Sequence, residues 1–94
     1  MADDGKNTLV DWDCGIASSR IVSWLDGELE LPHDGGCWLY VLQGHTCSIT
    51  IEPLESRQIG PIALERTRLL VQGEPIAADA FMREFTLRFV SAGG

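Results

Sequence analysis

The sequence predicts a small, mainly β-stranded domain of the all-β sandwich or barrel kind. Three observations carry that expectation. Turn signals recur at short spacing: Asp26-Gly27, Asp34-Gly35-Gly36, Gln43-Gly44, Gly60-Pro61 and Gln72-Gly73-Glu74-Pro75. Between them lie short runs rich in β-branched and aromatic residues, several alternating with period two. At 94 residues and 45% hydrophobic, the chain has material for one core, and two domains of half the size would each lack one.

Taken in order, residues 8–12 and 20–25 read as strands. Leu29 and Leu31 alternate with Glu28 and Glu30, which reads as a strand with one wet face. Residues 38–42 (WLYVL) are continuously apolar, as in a central strand covered on both sides. Cys47, Ile49 and Ile51 share one face, with Thr46, Ser48 and Thr50 on the other. Residues 63–71 fit a helix or a strand. Residues 75–82 fit a helical turn. Phe85, Leu87 and Phe89 alternate with Glu84, Thr86 and Arg88, the pattern of a last strand whose edge could pair with a second copy in a homodimer. The ends, residues 1–6 and 91–94, are expected to be loose around one domain spanning residues 1–94.

No run of 18 apolar residues occurs, so no membrane partner is expected. The N-terminal residues lack the basic and apolar regions of a secretory signal. With that, the odd count of three cysteines predicts reduced thiols in a cytoplasmic protein. A turn at Gly44-His45 would set Cys47 opposite residue 42 and Cys37 opposite residue 52, too far out of register to bond. Net charge is −7, and residues 21–56 carry Asp26, Glu28, Glu30, Asp34, Glu52 and Glu55 with no Lys or Arg. That stretch argues against direct contact with nucleic acid and suits a basic protein partner.

Residues 31–44 (LPHDGGCWLYVLQG) resemble the first motif of the cupin superfamily, and the Gly-Gly start, strand and turn are most similar to its HutD/Ves type. His33 falls on the second histidine of that motif, Cys37 on its glutamate and Gly44 on its glycine, while Leu31 stands at the first histidine. The second motif begins at Gly60 on this alignment, where Arg66, Arg68 and Val71 take the proline, glycine and histidine positions. The resemblance implies a small cupin-like jelly-roll barrel with a central pocket and without the family's full metal-ligand set.

The chemical candidates follow. A metal site would rest on His33 and Cys37, with Glu52 or His45 as further ligands, and two ligands on one strand do not close a site. Cys37 or Cys14 beside His33 or His45 would make a nucleophile and base only if they met in space. Glu28 and Glu30, two apart on a strand, are a wet face rather than an acid–base pair. A metal-free pocket would draw its lining from Trp12, Trp24, Trp38, Tyr40, Arg66 and Arg68. Of these Trp38, Tyr40, Arg66 and Arg68 are the chosen set, an inward arginine selecting a small anionic ligand. The expected function is therefore a non-enzymatic binding or regulatory module without cofactor. The alternatives are a small cupin metalloenzyme with a non-standard site and an acidic inhibitor of a basic, nucleic-acid-binding protein.

Overall fold

The computed structural model describes residues 7–90, so the expectation that residues 1–6 and 91–94 are loose lies outside the described residues. The chain order is β1 (Thr8–Cys14), α1 (Ser18–Ser23), β2 (His33–Asp34), β3 (Cys37–Leu42), β4 (His45–Ile59), β5 (Ile62–Gly73) and α2 (Pro75–Phe85). Both helices run on into a wider π-helical turn, Trp24–Glu28 after α1 and Thr86–Val90 after α2. The strands form a five-stranded antiparallel sheet in the order β1-β5-β4-β3-β2. The fold is mostly β, as expected, but it carries two helices and its sheet is open rather than closed into a barrel. No helix among the described residues is long and apolar enough to cross a membrane.

Three of the turn signals close hairpins of two residues. Gly35-Gly36 joins β2 to β3, and Gln43-Gly44 joins β3 to β4 with both φ angles positive (49° and 84°), the geometry that suits the twist of the flanking strands. Gly60-Pro61 joins β4 to β5. The turn at 43–44 sets Cys47 opposite Tyr40 and Cys37 opposite Thr50, a register shifted by two residues from the expected one. The two thiols then point to opposite faces, and all three cysteines are free.

Residues 20–25 are helical, not a strand: Ile21, Trp24 and Leu25 fall at the spacing of one helix face and are all buried. The segment around Leu29 and Leu31 is not a strand either. Glu30 has a positive φ of 52°, which breaks an extended run, and both leucines tuck partly against the core. The expected last strand is the end of α2 and its π turn. Phe81, Phe85 and Phe89 recur every fourth residue and stack along one face, with Phe81–Phe85 and Phe85–Phe89 centroids 6.3 and 5.1 Å apart. Leu87, which shares the period-two face with them, is 63% exposed.

Both helices lie on the same face of the sheet. Trp12, Trp38, Tyr40, Cys47, Ile49, Leu69 and Val71 meet Ile21, Trp24, Leu25, Ala77, Ala78, Phe81 and Phe85 there. Trp24 is the hub, with ring centroids 5.7, 6.0 and 5.4 Å from Phe81, Phe85 and Phe89. Polar atoms at this seam are paired across it. Trp38 Nε1 donates to Asp26 Oδ1 (2.7 Å) and Tyr40 Oη donates to Glu84 Oε2 (2.6 Å). Thr67, fully buried, donates to the Ile16 carbonyl (2.6 Å), which leaves the Ser18 hydroxyl as donor to Thr67 Oγ1 (2.7 Å). Burial and Glu84 push the Tyr40 hydroxyl up to about 12.

The junction of β5 with α2 is tight. Gly73 has a φ of 151°, and a Cβ there would lie 2.5 Å from the Cys47 Cα and 2.6 Å from the Thr46 carbonyl oxygen. Pro75 opens α2, where its missing N–H costs nothing. Glu74 clamps the start of β4 from the helix N-cap position: its Oε2 accepts the Thr46 N–H (3.1 Å) and its Oε1 lies 2.8 Å from His45 Nδ1. These contacts, His45 first, hold the Glu74 carboxyl below the usual range.

Candidate functional site

Among the described residues, the helices cover one face of the sheet and leave the other bare. Strand alternation places on this bare face Leu9, Asp11 and Asp13 from β1, Arg66, Arg68, Leu70 and Gln72 from β5, Thr46, Ser48, Thr50 and Glu52 from β4, and Cys37, Leu39 and Val41 from β3. Residues 38–42 are therefore covered on one side only, against expectation: Trp38 and Tyr40 are buried, whereas Leu39 and Val41 are 42% and 53% exposed.

The strands β4 and β5 also outrun their neighbours. β3 last pairs with β4 at Thr50, and β1 last pairs with β5 at Thr67, so residues 53–66 continue as a two-stranded arm. The molecule is accordingly elongated, 51 × 31 × 28 Å. Pro53 is tolerated in β4 because at that point no strand is left on the β3 side to receive its N–H. A bulge between Leu54 and Arg57 resets the register, so that Arg57 pairs with Leu64 and Ile59 with Ile62. At the tip Ile59, Ile62 and Leu64 are 53%, 57% and 45% exposed.

Between the arm and the exposed leucines runs a belt of charge. Arg68 grips Asp11 with two hydrogen bonds (2.9 and 2.7 Å) and reaches Glu52 at 3.4 Å. Arg66 is paired with Asp13. These hydrogen bonds hold Asp11 and Asp13 below the ordinary carboxylate range, and Arg57 adds to the effect on Asp13. Arg57, Arg66 and Arg68 thus stand among Asp11, Asp13 and Glu52. Outside this belt the described residues hold nine carboxylates against three arginines, so the acidity of the chain lies elsewhere. Part of it is neutralised locally, as where Arg88 pairs with Glu28 at 3.2 Å.

The residues chosen from sequence fall in different places. Trp38 and Tyr40 are in the helix-covered core, while Arg66 and Arg68 are ion-paired on the opposite face, so the four do not converge on one cavity. His33 lies on the short edge strand β2 with its ring 5.4 Å from that of Trp38. It borders, with Cys37, Trp38, Leu39 and Ser48, a shallow groove of about 360 Å³. A second groove of about 410 Å³ runs between Asp13, Gly15 and the root of the arm at Arg57, Leu64 and Arg66. Both are open to solvent. Among the described residues no three His, Cys, Asp or Glu side chains are grouped so as to hold a metal ion. Cys47 is buried, and burial alone pushes its thiol up to about 11, which suits packing rather than nucleophilic work. The arm was missed from sequence because Pro53 and the polar residues 55–58 interrupt the strand pattern. The turn at Gly60-Pro61 and the apolar residues on either side of it were the available signals.

No family model, curated protein sequence or solved structure matches the chain.

Proposed function

We propose that this chain is a non-enzymatic binding module that works through the bare face of its sheet and the arm continuing from it. One observation carries the reading: the exposed apolar residues of the strands gather on that face. Leu9, Leu39 and Val41 sit at one end, and Ile59, Ile62 and Leu64 at the other. Apolar residues scattered singly over a surface need no explanation, but a set aligned on one side of a sheet marks a place where another surface packs. A two-stranded ribbon is marginal in water by itself, so an arm with an apolar tip gains most from such cover. The ion pairs of the belt add little to stability at their exposure, but they hold charged groups of both signs in fixed positions where a partner can meet them.

Hydroxyl-radical footprinting tests this. The dilute purified chain is compared with the same chain in an extract of the cells that express it. Protection in the extract is expected at Leu39, Val41, Ile59 and Ile62, with Ile76 and Leu87 on the helices unchanged. Protection of the helical residues instead, or of neither set, would count against the bare face as the working surface.

A further inference from the structure

We infer that the surface covering the bare face is the bare face of a second copy, the two chains packing sheet to sheet with each arm lying over the body of the other; the inference rests on the reading of that face as a binding surface. Three features point to it. The first is spacing. Along β5, Leu64 and Leu70 each lie three residues from Thr67, and Ile62 and Gln72 each lie five. Leu9, Ser48 and Leu39 share a row across the sheet with Gln72. A two-fold axis between the sheets, crossing β5 at Thr67, therefore carries the arm tip of one chain onto the row of Leu9 and Leu39 in the other. The order apolar, charged, apolar reads the same from either end, as an isologous contact requires.

The second feature is charge. A chain of net charge −7 repels its copy across most of its surface. The belt is the exception, with Arg57, Arg66 and Arg68 set among Asp11, Asp13 and Glu52. Since the axis passes through it, Arg66 of one chain lies over the row of Asp13, Arg68 and Glu52 in the other, where two carboxylates stand to one arginine. The third is area. Strand spacing and rise give the bare face and arm together roughly 700 Å², close to the ~800 Å² per partner of a stable complex. Sheets packed this way keep their strands within about 30° of each other, which leaves room for an arm to lie along its partner's strands.

The experiment uses the full untagged chain in sedimentation equilibrium over a wide concentration range, with Leu39→Glu and Ile62→Glu alongside. Circular dichroism checks that each variant is folded. The wild type is expected to pass from monomer to dimer. Each variant, placing a carboxylate in the buried contact, is expected to raise the dissociation constant by roughly a hundredfold or more. A dimer that both variants leave intact would overturn the proposal, since another surface would then join the chains. A second measurement fixes the geometry. Chains carrying Ile62→Cys and Gln72→Cys, each on a Cys37→Ser background, are mixed and oxidised. Disulfides between unlike chains are expected to dominate, and products equally abundant between like chains would overturn the crossed arrangement. A chain that stays monomeric at every concentration would also overturn it. If the bare face were nevertheless protected in the cell extract, the binding module would stand with a different partner; if not, both readings would fall.

Discussion

The two faces of the sheet are made from the same strands, residue by residue in alternation, yet they differ in almost every physical respect. The covered face carries large aromatic and aliphatic side chains, and its few polar atoms are hydrogen-bonded across the seam to the helices. The bare face carries threonine, serine, paired ions and leucines at intervals. What the contrast teaches is that folding is settled on one face and leaves the other free to be used. The helices are short, and their aromatic residues all turn toward the same side, so among the described residues no element remains to cover the second face.

Substitutions on the two faces should therefore separate in size. Phe85→Ala removes a fully buried ring that touches Trp12, Trp24 and Phe89, and is expected to cost about 3–5 kcal/mol by chemical denaturation. Gly73→Ala is expected to cost about 1–3 kcal/mol or more, because the atoms a Cβ would strike are backbone atoms of β4 that cannot step aside. Tyr40→Phe breaks the bond to Glu84 and is expected to cost about 1 kcal/mol. It also sharpens the comparison through pH. The Tyr40 hydroxyl holds its proton up to about 12 in the folded chain, against about 10 when unfolded. Its contribution is complete below pH 10 and is lost as pH rises toward 12, so the wild type should lose stability across that window more steeply than Tyr40→Phe in an alkaline denaturation series. On the bare face, Leu39→Ser and Ile62→Ser are each expected to move the stability of the dilute chain by less than about 0.5 kcal/mol. A Leu39 variant as damaging as Phe85→Ala would erase the distinction between the faces.

Part of this was legible in the sequence. The alternation in residues 46–51 set Cys47, Ile49 and Ile51 on one face, which is the face that packs on the core, and the glycines at 35–36, 44 and 60 marked the three hairpin turns. The helices were not legible, for a simple reason of periods. Phe85 and Phe89 satisfy a spacing of two and a spacing near 3.6 equally well, and only Phe81 and the exposed Leu87 decide between them. Ile21 and Val22 are β-branched, which favoured a strand for residues 20–25, but tertiary packing of Ile21, Trp24 and Leu25 overrides that preference. The site was less legible than the fold. An apolar run such as residues 38–42 does not say whether Leu39 and Val41 are buried by other elements or left bare. Nor does a sequence show that Asp11 and Asp13 on β1 meet Arg68 and Arg66 on β5, more than fifty positions away.

Residue-resolved hydrogen exchange of the native chain at two protein concentrations, one far below and one far above that at which chains associate, tests most directly the claim that one face is covered by the fold and the other by a second chain. Amides of Ile49, Leu69 and Val71 should exchange slowly at both. Amides of the arm, residues 53–66, should exchange fast in the dilute sample and slow markedly in the concentrated one. An arm that exchanges at the same rate at both concentrations would contradict the account.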